Sequence, residues 1–127
     1  MNATAAADEV ADLRHQRRDL RRELGRVRWW RRLIAARRDL TLASLAVPDT
    51  MAQDHTEAAW HALAADAPTA LELTGAVWPD VQDVSVADLD ALDALDNRLD
   101  RYERRLSATL DTVTAHMVQA MGKVHHE

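Results

Sequence analysis

The stretch LDALDALDNRLDRYERRLSATLDTVTAHMVQAMGKV, residues 89–124, decides the fold. Stepping alternately by three and four residues along it gives Leu89, Leu92, Asp96, Leu99, Glu103, Leu106, Leu110, Val113, Met117, Ala120 and Val124. An apolar row recurring on average every 3.5 residues is the signature of a helix with a narrow buried seam. Alone in water such a helix leaves its stripe wet, so it needs a partner. The partner is in the same chain. Val10, Leu13, Arg17, Leu20, Leu24, Val27, Arg31, Ile34, Arg38, Thr41 and Leu45 repeat the same step, with Trp30, Leu33, Leu40 and Val47 as a neighbouring stripe. Only Gly25 weakens this second run, and Val47-Pro48-Asp49 ends it, because a residue before proline is pushed out of the helical region.

The spacing predicts an all-α fold, an antiparallel two-helix coiled-coil hairpin with one or two short connecting helices. A disordered tail is expected over 1–8 and a single domain over 9–122. Its long helices are placed at 9–46 and 87–122, its connecting segment at 49–83, and a second tail at 123–127. In the connecting segment Asp49 or Thr50 could cap a helix from Ala52 to Ala65. After Pro68, Leu71, Leu73, Val77 and Trp78 are expected to pack, with Trp60 and Trp78 as lids over the hairpin.

Composition agrees. The 127 residues carry 47% hydrophobic and 29% charged side chains, with only three Gly and three Pro, which suits long helices and disfavours a turn-rich β fold. There is no cysteine, so disulfides and thiolate chemistry are excluded, and a cytoplasmic location is expected. No run approaches the roughly 20 apolar residues that span a bilayer, so no membrane association is expected. Charge is uneven. Up to Val47 eleven Arg stand against six acids, whereas from Pro48 onward four Arg and one Lys face fifteen acids. A basic first helix and an acidic remainder can attract each other or offer a two-faced surface to a partner.

The seam's charged members predict register. If Val10 lies beside Lys123 and Leu45 beside Asp88, paired positions add to about 133. Glu103 then falls beside Arg31 and Asp96 beside Arg38. These two inter-helix polar layers would fix alignment at some cost in stability. The competing reading is that these Arg side chains snorkel outward.

The run Glu23-Leu24-Gly25-Arg26-Val27-Arg28-Trp29-Trp30-Arg31-Arg32-Leu33-Ile34-Ala35-Ala36-Arg37-Arg38-Asp39-Leu40 resembles the first helix of the RsiG anti-sigma family of actinobacteria. Leu89-Asp90-Ala91-Leu92 followed by Arg101-Tyr102-Glu103-Arg104-Arg105-Leu106-Ser107 looks like that family's second long helix. The resemblance implies an antiparallel hairpin that holds a sigma factor inactive, using cyclic di-GMP bound to the hairpin. The family's ligand motif is Glu, three residues, Ser, two residues, Arg, three residues, Gln, three residues, Asp, once per long helix. Here it is degenerate. Arg31 and Asp39 match on the first helix, where Leu24, Arg28 and Ala35 occupy the Glu, Ser and Gln positions. Glu103 and Ser107 match on the second, where Leu110, Thr114 and Val118 stand at the Arg, Gln and Asp positions. Without the second helix's guanine-reading groups, cyclic di-GMP binding is expected to be lost or strongly weakened, leaving no cofactor.

The expected function is therefore a protein-binding transcription regulator whose partner is a sigma factor, with Asp88, Asp90, Asp93 and Asp100 as the candidate docking face. One alternative is an Arg-rich nucleotide or nucleic-acid binder using Arg14, Arg17, Arg18, Arg21, Arg22, Arg26, Arg28, Arg31 and Arg32, with Trp29 stacking on a base. Against it stands the net charge of −5. Another is a structural helical homodimer, whose second stripe would bury Trp30 and Leu33. Catalysis is the least supported class. There is no Gly-rich phosphate loop, no His-Glu-x-x-His and no readable Ser-His-Asp set. His125, His126 and Glu127 make a poor metal site on a terminus. His15 and His116 read as interfacial or solvent-facing.

Overall fold

The computed structural model describes residues 3–46, 63, 65–78 and 85–126, the last without its side chain. Three helices occur among them: α1 (Ala3–Leu45), α2 (Ala70–Val77) and α3 (Val86–His126). The long pair α1 and α3 pack on each other as the antiparallel hairpin, and α2 packs on neither.

Both seams are where the spacing puts them. In α1 every position from Val10 to Thr41 on the three-four row is buried or half-buried, and only Leu45 at its end is exposed. In α3 the whole row from Leu89 to Val124 is withdrawn from solvent. The centre of the core is Leu24, Val27 and Leu106, with Leu20, Leu99, Tyr102 and Leu110 packed around it. Side chains on two antiparallel helices can reach across one seam only, so the core is a single row and each helix keeps its outer face wet.

The long helices overrun their expected ends. The 1–8 tail is not a tail from residue 3 onward. Ala3, Ala5, Ala6 and Ala7 carry the strongest helix propensity, and Ala6 is buried. Likewise α3 continues past Gly122 to His126, with Val124 half-buried on the seam, in place of a tail from 123.

Local capping sets the start of two helices. Thr69 Oγ1 accepts from the Glu72 amide at 3.2 Å and donates to Glu72 Oε1, while Asp88 Oδ2 accepts the Ser85 amide at 2.8 Å. Each satisfies a donor that a helix N-terminus otherwise leaves open. The expected packing of Leu71, Leu73 and Val77 does not occur: all three are exposed. The long helices spend their seams on each other, and no described apolar face of the hairpin lies against α2. Trp78 caps α2, donating its amide to the Thr74 carbonyl at 2.8 Å, and is half-buried. The expected helix from Ala52 to Ala65, its caps Asp49 and Thr50, the Trp60 lid and Glu127 lie outside the described residues, apart from Leu63 and Ala65. No helix among the described residues is long and apolar enough to cross a membrane.

Candidate functional site

Three clefts flank the hairpin, each built from seam residues and their immediate neighbours. The first, of about 490 Å³, lies over the polar part of the seam. Arg31 sits at its centre. Its Nε and Nη2 form a fork on Asp96 at 2.9 and 3.1 Å, and Nη1 donates to Asp100 at 3.2 Å and Glu103 at 3.5 Å. A planar guanidinium with five donors is the side chain able to serve three carboxylates at once. Donating to Asp96 raises the Arg31 pKa, and accepting the same bonds lowers that of Asp96. One heptad along, Arg38 Nε donates to Asp93 at 2.7 Å. Arg28 lies 3.9 Å from Glu103. Every inter-helix ion pair among the described residues therefore runs from an Arg of α1 to an acid of α3.

This geometry keeps one expected polar layer and replaces the other. Arg31 meets Glu103, but Asp96 pairs with Arg31 and not with Arg38, whose partner is Asp93. The inter-helix contacts connect positions adding to between 125, for Glu23–Tyr102, and 134, for Arg31–Glu103, a spread that arises because a long Arg side chain reaches a turn beyond its own level. The seam arginines are thus anchored, not snorkelling freely.

The same contacts redistribute the candidate residues. Of the proposed docking acids, Asp93 and Asp100 are spent on Arg38 and Arg31, and Asp88 caps α3, leaving Asp90 alone exposed without such a role. An acidic face made by all four does not form, because the basic helix opposite neutralises it. Among the motif positions, Leu24 is core and Leu110 packs on it, Arg28 and Arg31 each pair with Glu103, Ser107 is half-buried, and Asp39 is exposed. His15 and His116 are both exposed, with His15 beside Asp19 at 3.7 Å.

The second cleft, of about 680 Å³, was not foreseen. Trp30 and Ile34 form one wall. Leu95, Leu99, Tyr102 and Arg105 form the other, with Arg98 and Arg101 at the edge. Trp30, 44% exposed, stacks edge-on against Trp29, 47% exposed, at 4.8 Å between ring centres. Tyr102 donates its hydroxyl to Glu23 at 3.2 Å, and Arg105 lies 5.8 Å above the tyrosine ring. Glu23 is also held by Arg26 at 2.6 Å, which lowers its pKa. The sequence did carry a signal here. Leu95, Tyr102 and Arg105 repeat the heptad step one position beside the seam, and a second apolar row signals a second contact surface.

The third cleft, of about 440 Å³, gathers Arg14, Arg17, Arg18 and Arg21 around Met117 and Met121. The sequence reading named the arginines and missed the methionines, because an inter-helix floor requires knowing the register. Comparison of the chain with protein-family models, curated proteins and solved structures yields no match.

Proposed function

We propose that this chain is a protein-binding regulator of transcription, an RsiG-like hairpin that holds a sigma subunit through the aromatic cleft of Trp30, Leu95 and Tyr102. What supports a binding role is that cleft. Trp29, Trp30, Leu33 and Leu95 are each more than two-fifths exposed, and monomeric proteins rarely leave large aromatic and aliphatic groups together in water without a use. Tryptophan and tyrosine are also the residues that dominate binding energy at interfaces. An amphipathic helix laid along the cleft would place apolar side chains at three- and four-residue spacing against Leu95, Leu99 and Trp30.

Cyclic di-GMP control is not part of the proposed function. Arg31, at the motif's Arg position, and Arg28, at its Ser position, already serve carboxylates of this chain, and Leu24 and Leu110 take core positions where the family motif has Glu and Arg. A ligand would need to break that polar layer to reach them.

The test is affinity capture of the full chain from its native host. The expected result is co-elution of a sigma subunit, lost in Trp30→Ala and Leu95→Asp variants that keep parental helicity. A capture lacking any sigma subunit overturns the regulator reading. Calorimetry with cyclic di-GMP should give no submicromolar binding. A second reading, a homodimer through the same stripe, draws support from the outward Leu33 and Trp29, and light scattering of the purified chain separates it from the first.

A further inference from the structure

Several arginines have no carboxylate partner among the described residues, Arg22, Arg32, Arg37, Arg98 and Arg101 among them, but Arg14, Arg17, Arg18 and Arg21 are the ones that gather around one cleft. Arg26, Arg28, Arg31, Arg38 and Arg104 each have a carboxylate partner. Arg14, Arg17, Arg18 and Arg21 have none among the described residues, although Asp12, Asp19, Glu23 and Asp111 stand nearby in sequence or across the seam. Asp19 lies beside His15, and Glu23 is taken by Arg26. Arg14 with Arg18, and Arg17 with Arg21, are like-charged pairs four residues apart on one helix, an arrangement that disfavours the helix. The fold holds four cations together without an anion between them.

Their floor is not polar. Met117 is buried and Met121 half-buried, and both line the cleft together with the four arginines. Arg17 is positioned from α3, its Nε donating to Thr114 Oγ1 at 3.2 Å, which leaves its terminal N–H groups free to turn outward. Helical spacing carries the row onward, since Arg28 and Arg32 share the edge of α1 that holds Arg14 and Arg21. Arg14, Arg18 and Arg21 follow one another at about 5–6 Å along the helix, at 1.5 Å per residue, and a gap of about 10 Å separates Arg21 from Arg28.

A cluster of forked cations beside a soft apolar floor matches a chain of phosphates whose attached rings meet methionine. Arginine forks onto phosphate oxygens, and methionine makes favourable contact with ring edges. We infer that the Arg14, Arg17, Arg18, Arg21 groove with its Met117 and Met121 floor binds a phosphate chain, as carried by a single-stranded nucleic acid. This role stands apart from the aromatic cleft of Trp30 and does not depend on its partner. Acids do share this end of the hairpin, Asp8, Glu9, Asp12, Asp19 and Glu23 on α1 and Asp111 on α3, but none of them is ion-paired to the four groove arginines, and Asp19 and Glu23 lie against His15 and Arg26.

The test uses the full chain and two probes of matched charge, a fluorescent oligothymidylate and inorganic polyphosphate, followed by anisotropy and competition over a range of salt. Binding of the oligothymidylate should weaken steeply with salt, with a log–log slope of about −3 for four single-strand phosphate contacts. The R14Q/R18Q/R21Q variant should bind at least about tenfold more weakly, which corresponds to 1.4 kcal/mol. The R26Q/R37Q/R104Q variant, which removes the same number of charges outside the groove, should bind within about twofold of the parent. The groove variant should also melt no lower than the parent, because it loses like-charge repulsion and no ion pair. Oligothymidylate bound more tightly than polyphosphate identifies nucleic acid as the source. Equal binding keeps the phosphate site and assigns it to phosphate chains in general. Absence of binding at low salt, or equal loss in the two triple variants, overturns the proposal.

Discussion

Arg31 is the residue on which the alignment of the hairpin turns. Its side chain is 28% exposed and meets Asp96, Asp100 and Glu103. Removing it leaves three carboxylates close together and half-buried, so Arg31→Met should destabilise the fold by about 1–3 kcal/mol in denaturant titration. A double-mutant cycle resolves the partners. Coupling between Arg31→Met and Asp96→Leu should reach at least about 0.5 kcal/mol and exceed that with Glu103→Leu, since the fork on Asp96 is shorter. Equal couplings, or none, would contradict the geometry. The same contact sets a pH response. The Asp96 carboxyl titrates below its ordinary range because Arg31 hydrogen-bonds the charged form. Its contribution is complete above the unfolded value of about 3.9 and is lost as pH falls through the lower folded value. The parent should therefore lose more stability than Asp96→Asn between neutral pH and about pH 3, measured by urea midpoints. At this scale the sequence was half legible. The seam's charges were named correctly, but a four-bond side chain reaches across more than one level, so the choice among acids needed the structure.

At the scale of elements, periodicity carried nearly all the information. A row spaced at 3.5 residues can bury only one edge of a helix, and Val10 to Thr41 and Leu89 to Val124 lie on that edge without exception. Of the two polar layers expected from the register, Arg31–Glu103 forms, whereas Arg38 turns to Asp93 and leaves Asp96 to Arg31. Helix ends were misplaced for a different reason: residues 1–8 and 123–127 read as tails, yet neither Ala3–Ala7 nor Gly122 stops a helix that already has a partner. Gly25 makes the point testable. A Cβ built there meets nothing within 4 Å. Gly25→Ala should stabilise the protein by about 0.5–1 kcal/mol, because glycine loses more backbone freedom in the helix. A lower melting temperature for this variant would mean that α1 needs the glycine for a contact absent from the free chain. The failure at α2 has the opposite origin. Leu71, Leu73 and Val77 are apolar, and composition alone cannot say whether the long helices have surface left to receive them.

Over the whole molecule, the charge imbalance between the chain's two parts resolves into inter-helix ion pairs at one end and an uncompensated cationic groove toward the other. The acids of α3 begin at Asp88 and end, on the seam side, at Glu103, so they can answer only the arginines that lie opposite them. That division was visible in the sequence as a charge count and became interpretable once the antiparallel pairing was known. The aromatic cleft was less visible, because its walls come from residues on separate helices that share no linear motif.

A rod with one row of buried side chains has no cross-bracing, so its tightness varies along its length. Val27 is 1% exposed, whereas Leu45 and Val86 at the connected end are 43% and 65% exposed. Backbone amides should therefore exchange their protons with solvent slowest around Leu24, Val27 and Leu106, and progressively faster toward Leu45 and Val86. Deuterium uptake followed by mass spectrometry reads that gradient directly, and uniform uptake along α1 would mean that the hairpin opens as one unit. With Leu45 and Val86 open to solvent and Val27 closed at its waist, the rod has room to yield locally to a visitor without coming apart.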